Sequence, residues 1–117
     1  SSDLIQLVET DRPELVTLIN DIIRYIENQI YKNGWQSFNL AFNKIHGSFQ
    51  TNLVQKFPDL TQSEIKLCSL IKLGLDNKKI ATLLFLTSDS IKVSRSRLRK
   101  KLKLETNQNL DTYLSQF

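Results

Sequence analysis

The sequence predicts an all-α protein with an N-terminal helical arm over residues 1–57 and a four-helix domain over residues 58–117. Gly and Pro, which form most tight turns, number only three and two among 117 residues. Their share is about 4%, against roughly 12% in average sequences, which leaves little room for β-hairpins. Apolar side chains instead recur at steps of three and four, as is typical of helices that bury one face.

The composition also excludes several classes of protein. One cysteine and one histidine, Cys68 and His46, cannot build a disulfide framework or a structural zinc site, and we expect no metal or cofactor. The longest wholly apolar run has four residues, Leu83–Leu86, whereas a membrane helix needs roughly 20. We therefore expect a cytoplasmic segment without membrane contact. Because the chain opens with Ser1 and not Met, we expect a piece of a longer protein.

The net charge of +4 is concentrated in the second half of the chain. Residues 1–57 carry a net charge of −1, whereas residues 58–117 carry +5. Seven basic side chains and no acidic one lie in the twelve residues from Lys92 to Lys103. A stretch this basic is expected either to bind an acidic partner such as nucleic acid or to form a solvated cationic face.

The arm is predicted to contain two amphipathic helices. Pro13 suits the first position of a helix, and Asn33-Gly34 is typical of a helix end. A second run from Trp35 to Leu53 again places apolar side chains at three- and four-residue steps. The helices fit an antiparallel hairpin or arms that dimerise, because so short an arm has little interior for its apolar surface. The first helix supplies five predicted dimer contacts: Val16, Ile19, Ile23, Ile26 and Ile30.

Each of the four helices predicted in the second half has its own boundary signals. Thr61 and Glu64 form a capping box, in which each side chain accepts a hydrogen bond from the other residue's backbone N–H. Asp76 and Thr87 are predicted caps of the second and third helices, and Gly74 ends the first. The helices are expected over residues 61–73, 76–84, 88–102 and, after a short break, from about 107 to 117.

Two short helices, a three-residue break and a longer basic helix follow the pattern of a helix-turn-helix. On a helical wheel, Leu98 and Leu102 fall within about 20° of Ile91, so these three are expected to hold the basic helix to the core. The opposite face suits the major groove of DNA, where cations meet guanine edges, serine bonds any base and valine packs on a thymine methyl. The predicted base contacts are Lys92, Val93, Ser96 and Arg99.

These residues also resemble a known family. Residues 58–117 are similar to the LuxR/GerE-type helix-turn-helix domain in four segments: Leu60-Thr61-x-x-Glu64, Gly74-x-Asp76-Asn77-Lys78-Lys79-Ile80-Ala81-x-x-Leu84, Thr87-x-x-Ser90-Ile91-Lys92 and Leu98-x-x-Lys101-Leu102. The resemblance implies that residues 88–102 are the recognition helix and that its base contacts include Lys92, Val93 and Ser96. It also implies that Lys78 and Lys79 approach phosphate.

Further contacts are predicted with the DNA backbone and with a second copy of the chain. The predicted phosphate contacts are Lys78, Lys79, Ser88, Ser90, Arg97, Lys100 and Lys103. The fourth helix, often a dimer contact in the family, adds Leu110, Tyr113 and Leu114. Two positions depart from the family pattern. Ser94 stands at a usual histidine, and Asp76 places a carboxylate near the expected path of phosphate.

A longer match resembles the C-terminal part of Bacteroidetes sensor-regulators. It involves five segments: Trp35-x-x-Phe38-x-x-x-Phe42-x-x-x-His46-x-x-Phe49, Phe57-Pro58-x-Leu60-Thr61, Leu67-Cys68, Arg95-x-Arg97-Leu98-Arg99-Lys100-Lys101-Leu102 and Asn109-Leu110-x-x-Tyr113-Leu114. In that group a sensory portion precedes this region, often a periplasmic propeller with a three-tyrosine domain and a membrane helix, or helical repeats. The resemblance implies that residues 1–57 connect an absent sensor to the DNA-binding domain, in a full-length protein that is often membrane-anchored.

Three residues are expected to have structural roles despite their chemistry. Cys68 and His46 lie on apolar helical faces without a convincing acidic partner, so we expect no enzyme. Arg95 lies about 40° from the core direction of its helix. We expect it to be half-buried against an acid such as Glu64 and to hold the helix instead of touching DNA.

The sequence therefore predicts the output domain of a bacterial transcription regulator that binds double-stranded DNA as a homodimer. One alternative is a sigma-factor-like region that reads promoter DNA while bound to RNA polymerase, which is also a candidate partner of a regulator. Another alternative is a protein-interaction module whose basic helix meets an acidic partner.

Overall fold

A computed structural model describes residues 12–117, and every regular element in that range is a helix. The six helices are α1 (Pro13–Ile45), α2 (Phe49–Lys56), α3 (Gln62–Lys72), α4 (Asn77–Leu84), α5 (Ser88–Lys101) and α6 (Leu110–Ser115). The predicted all-α fold, a helical arm followed by a four-helix domain, is confirmed. The chain divides into two compact units, one up to Ala41 and one over Phe42–Phe117.

The predicted helix end at Asn33-Gly34 is wrong, because α1 continues through both residues as far as Ile45. An antiparallel hairpin turning at Gly34 is therefore excluded. Glycine ends a helix when it takes a left-handed conformation, and Gly34 does not have a positive φ. In a right-handed helix a glycine costs only about 1 kcal/mol, too little to stop a helix by itself. The arm region still contains two helices, with the break at residues 46–48.

The helix starts in the second unit follow the sequence signals. Thr61 and Glu64 form the complete capping box, with Glu64 N–H donating to Thr61 Oγ1 at 3.2 Å and Thr61 N–H donating to Glu64 Oε1 at 2.8 Å. Asp76 and Thr87 cap α4 and α5 as predicted. The last helix starts later than the predicted residue 107, because Asn109 accepts a hydrogen bond from the backbone of its third residue and caps it.

Three helix ends in this unit use a left-handed residue. Gly74, Phe85 and Lys103 follow α3, α4 and α5 with φ angles of 83°, 56° and 58°. After each, the next backbone N–H donates to the carbonyl five residues earlier, which is the Schellman arrangement. Gly74 adopts this conformation at little cost, whereas a residue with a Cβ pays roughly 1–2 kcal/mol for it. These ends set the directions in which the chain leaves α3, α4 and α5.

The core of the second unit forms around α3, which buries six of its residues. From α5 it receives Ile91, Leu98 and Leu102, all less than 4% exposed, as the wheel predicts. Phe49 of α2 is also buried, and its ring meets that of Phe117 edge-on at 6.4 Å between centroids. The basic helix is thus fixed by one narrow apolar seam.

The first unit has a different character, because α1 is apolar along one side but buries none of its described side chains before Phe42. Seven residues form this apolar stripe: Leu15, Val16, Ile19, Ile22, Ile23, Ile26 and Ile30. They occupy about 120° of a helical wheel, and no charged residue of the first unit falls among them. Ile22 and Ile26 are each half exposed, and Ile30 is 65% exposed.

Replacing Gly34 by Ala should raise the unfolding midpoint and the helical signal in circular dichroism. The gain expected is about 0.5–1 kcal/mol, because alanine favours a helix interior and its Cβ would meet nothing within 4 Å. Gly74→Ala is the matched control and should destabilise the protein, because the φ of Gly74 is 83°. Destabilisation by Gly34→Ala would indicate a turn at Gly34 and contradict the continuous helix.

Candidate nucleic-acid interface

Helices α4 and α5 pack against each other and are joined by the three residues 85–87. Phe85 turns the chain out of α4 in its left-handed conformation, and Leu86 N–H donates to Ala81 O at 2.9 Å. Thr87 then starts α5 by accepting a hydrogen bond from the Ser90 N–H at 3.1 Å. The connection therefore leaves no freedom in where α5 begins, and the arrangement is a helix-turn-helix.

The face of α5 opposite its buried seam is cationic and exposed. Its exposed side chains are Lys92, Val93, Ser96, Arg97 and Lys100, followed by Lys103 just after the helix. Val93 is 50% exposed, although it is apolar. Three of the four predicted base contacts, Lys92, Val93 and Ser96, thus lie together where a groove could receive them.

Arg99, the fourth predicted base contact, lies elsewhere. Its side chain is half-buried, and its guanidinium donates from Nη1 to Gln108 O at 2.6 Å and from Nη2 to Glu105 O at 2.8 Å. Both acceptors belong to the loop between α5 and α6. The arrangement gives Arg99 a bonding role within the domain.

Arg95 is half-buried against an acid, as expected, but the expected partner Glu64 is wrong. Its guanidinium pairs with Asp111 in the first turn of α6. Glu64 instead pairs with Lys101, whose Nζ lies 2.6 Å from Glu64 Oε1. Arg95 and Lys101 leave α5 in different directions, so each meets the acid of a different helix.

The Glu64 carboxylate therefore has two tasks, the α3 cap and the ion pair with Lys101. Burial raises its pKa, but hydrogen bonds from Lys101 and Thr61 outweigh this effect and lower the pKa below its ordinary value. A single carboxylate thus fastens the end of α5 to the start of α3.

The remaining predicted phosphate contacts lie at the N-termini of α4 and α5. Lys78 and Lys79 are both exposed, and the Asp76 carboxylate accepts a hydrogen bond from Lys79 N–H at 2.8 Å. Ser90 is exposed and its hydroxyl bonds that of Thr87 at 2.9 Å, whereas Ser88 is half-buried.

The predicted dimer contacts of α6 have partners inside the second unit. Leu110 and Leu114 are buried in the core, at 3% and 0% exposure. The ring of Tyr113 is half-buried, 5.4 Å from that of Phe117, and Lys56 Nζ lies 5.6 Å from its centroid. These side chains hold α6 to the domain, and a contact between α6 and a second copy stays a prediction.

Comparison with known proteins identifies the domain. Residues 58–113 match the family model GerE, described as bacterial regulatory proteins of the luxR family. Residues 58–113 are a LuxR-family domain. The predicted LuxR/GerE resemblance is thereby confirmed, whereas the narrower resemblance to Bacteroidetes sensor-regulators stays a prediction.

Two curated relatives extend the match beyond this domain. The DNA-binding transcriptional activator EvgA of Escherichia coli (strain K12) is 34% identical over 95 residues, and the protein of the same name from Shigella flexneri matches equally. The alignment covers 81% of this chain and 45% of each relative, so the chain spans about half their length. No solved structure matches the chain significantly.

Features that could indicate other chemistry stay within the packing of the LuxR-family domain. Cys68 is fully buried, and burial raises the pKa of its thiol to about 12, so it is protonated at neutral pH. His46 lies with its ring 5.1 Å from that of Phe42. Among residues 12–117 no cluster of metal-ligating side chains forms, and no helix there is long and apolar enough to span a membrane.

Sequence reasoning missed the partners that fasten the basic helix of the LuxR-family domain. Asp111 lies 16 residues from Arg95, and Gln108 lies nine residues from Arg99, so neither pair follows helical spacing. The only available signal was the acid in the first turn of the last helix. Which cation it would meet depends on the packing of α6.

Acid should weaken the LuxR-family domain through Glu64. Because folding lowers the pKa of this carboxyl, its contribution to stability is complete above the ordinary value of 4.5 and is lost as the pH falls through the folded value. Glu64→Gln should lower the unfolding free energy near pH 7 and flatten its decline between about pH 5 and pH 3 in urea denaturation. Lys101→Gln should reproduce part of the loss, and an unchanged acid limb in Glu64→Gln would contradict the account.

Proposed function

We propose that the chain binds double-stranded DNA sequence-specifically, as a homodimer and as the output part of a bacterial transcription regulator. The observation that carries the proposal is the exposed, acid-free cationic face of α5, set in a helix-turn-helix of a LuxR-family domain. The relatives named as DNA-binding transcriptional activators support the same function. The segment would act in the cytoplasm, where bacterial DNA lies, and RNA polymerase stays a predicted partner.

Base reading is assigned to Lys92, Val93 and Ser96. Their exposure and their place on the face opposite the buried seam let all three enter one major groove together. A lysine bonds guanine, a serine bonds several bases and a valine contacts the methyl of thymine. Arg99 is omitted from this set, because its guanidinium is bonded to loop carbonyls.

Phosphate binding is assigned to the flanking cations and to two helix N-termini. Arg97, Lys100 and Lys103 border the reading face, and Lys78 and Lys79 lie at the start of α4. The start of α5, with Ser88 and Ser90, offers backbone N–H groups to an oxygen of the DNA backbone. Such contacts fix the position of the protein on the duplex, and the affinity should fall steeply with salt.

Dimerisation is assigned to the apolar stripe of α1. Side chains such as Ile22, Ile26 and Ile30 are half exposed or more in the single chain, and a helix of this kind gains most of its stability by packing an apolar face. Pairing two copies along the stripe would bury that surface. Two recognition helices would then meet half-sites separated by about one turn of DNA, roughly 34 Å.

Selection of bound duplexes from a random pool tests the proposal as a whole. The 117-residue chain should enrich a motif with two-fold symmetry, because each copy of a dimer reads one half-site. Enrichment of an asymmetric single site would contradict the dimer, and no enrichment over the starting pool would contradict DNA reading. Specific binding only in the presence of RNA polymerase would favour the sigma-factor-like alternative.

Lys92→Ala should weaken binding to the enriched duplex by about 1–3 kcal/mol and relax the preference at one base position. Lys100→Ala is the matched control on the same helix. It should weaken binding to all duplexes alike and reduce the salt dependence by about one phosphate contact. An equal loss on every sequence for Lys92→Ala would make Lys92 a phosphate contact and contradict its reading role.

Introducing charge into the α1 stripe should separate the copies. The double variant Ile23→Glu with Ile26→Glu should sediment as a monomer, because two carboxylates per copy would be buried at the interface. Asn28→Glu, on the opposite side of α1, is the control and should sediment like the wild type. Unchanged sedimentation of the double variant would contradict dimerisation through this stripe.

A further inference from the structure

The seven cations from Lys92 to Lys103 fall into two groups. Lys92, Arg97, Lys100 and Lys103 are exposed, and their side chains make no hydrogen bond or ion pair within residues 12–117. The other three are half-buried and bonded, each to a different part of the second unit: Arg95 to α6, Arg99 to the α5–α6 loop and Lys101 to α3. The division by burial coincides with the division by bonding.

Arg99 makes the most extensive contact of the bonded group. Its two terminal nitrogens reach two carbonyls of one turn, that of Gln108 at 2.6 Å and that of Glu105 at 2.8 Å. The turn is closed on itself, because Glu105 N–H donates to Gln108 Oε1 at 2.7 Å and Gln108 N–H donates to Glu105 O at 3.0 Å. The guanidinium therefore grips a preformed pair of acceptors.

The backbone of Arg99 is held at the same place. Lys103 turns the chain with a φ of 58°, and Leu104 N–H donates to Arg99 O at 3.0 Å. The carbonyl and the side chain of Arg99 are thus both bonded to the loop that leads into α6. Because this loop follows the last turn of α5 directly, the contact fixes both the end of α5 and the orientation of its final turn.

We propose that Arg99 is a positioning residue that sets the angle of the reading face without touching DNA. The proposal rests on the proposed function, since an angle matters only if α5 enters a groove. A planar fork that spans two acceptors is specific to arginine, because the lysine ammonium is a point charge on a flexible stem. Charge alone therefore cannot replace Arg99, in contrast to a phosphate contact, where lysine serves as well.

Two variants of Arg99 and one control separate these roles. Arg99→Lys keeps the charge and loses the fork, Arg99→Gln loses both, and Lys100→Gln removes a neighbouring exposed cation. Each is titrated with the enriched duplex and with a scrambled duplex of the same composition, over a series of salt concentrations and well below the unfolding temperature. The readouts are the ratio of the two affinities, the salt slope and the urea midpoint.

Both Arg99 variants should lower the affinity ratio by about tenfold, with a salt slope equal to that of the wild type. Lys100→Gln should keep the ratio and reduce the magnitude of the slope by about 0.9, the value expected for one lost phosphate contact. Both Arg99 variants should also lower the urea midpoint, whereas Lys100→Gln should not. Failure of lysine to rescue the affinity ratio is the result that identifies positioning.

Three outcomes would overturn the proposal. A slope reduced by about 0.9 in Arg99→Gln, restored in Arg99→Lys, would make Arg99 a phosphate contact. A lower urea midpoint with an unchanged affinity ratio would leave Arg99 a stabilising residue without influence on reading. Failure of the wild-type chain to enrich any duplex would overturn the proposed function as well, and is thereby distinguished from the first two.

Discussion

The DNA-binding unit depends on the burial of one narrow seam of α5. Ile91, Leu98 and Leu102 are less than 4% exposed in a helix that is otherwise polar or cationic. Burying an aliphatic side chain of this size stabilises a fold by about 1.5–3 kcal/mol. These three side chains must therefore hold a helix whose like charges repel one another. Every contact that the helix offers to a partner is directed by this seam.

The paired cations reduce the repulsion and orient the helix at the same time. Lys101 reaches Glu64 at the start of α3, Arg95 reaches Asp111 in α6, and Arg99 reaches the loop between. Three different parts of the unit thus hold the side of α5 that the seam leaves undetermined. The cations that remain exposed are those on the opposite face. The domain in this way separates the charges that hold α5 from the charges available to a polyanion.

Local signals in the sequence predicted the helices of the second unit well. The capping box at Thr61 and the left-handed turn at Gly74 each depend on a few neighbouring residues, so the sequence alone identifies them. The helix end at Gly34 was wrong because a glycine stops a helix only with a left-handed backbone, which its neighbours do not enforce there. The partners of Arg95 and Arg99 could not be predicted, because they are set by how α6 packs. Exposure on a wheel is a property of one helix, whereas a bonded guanidinium is a property of several.

The central claim is that one face of α5 meets DNA while the opposite face stays bonded to the domain, and nuclear magnetic resonance tests it most directly. In a titration with the enriched duplex, the amides of Lys92, Val93 and Ser96 should shift strongly. The side-chain Nε–H signals of Arg95 and Arg99 should keep their positions, because their bonds are retained in the complex. Large shifts of both arginine signals with small shifts at Lys92 and Ser96 would contradict this division of the helix.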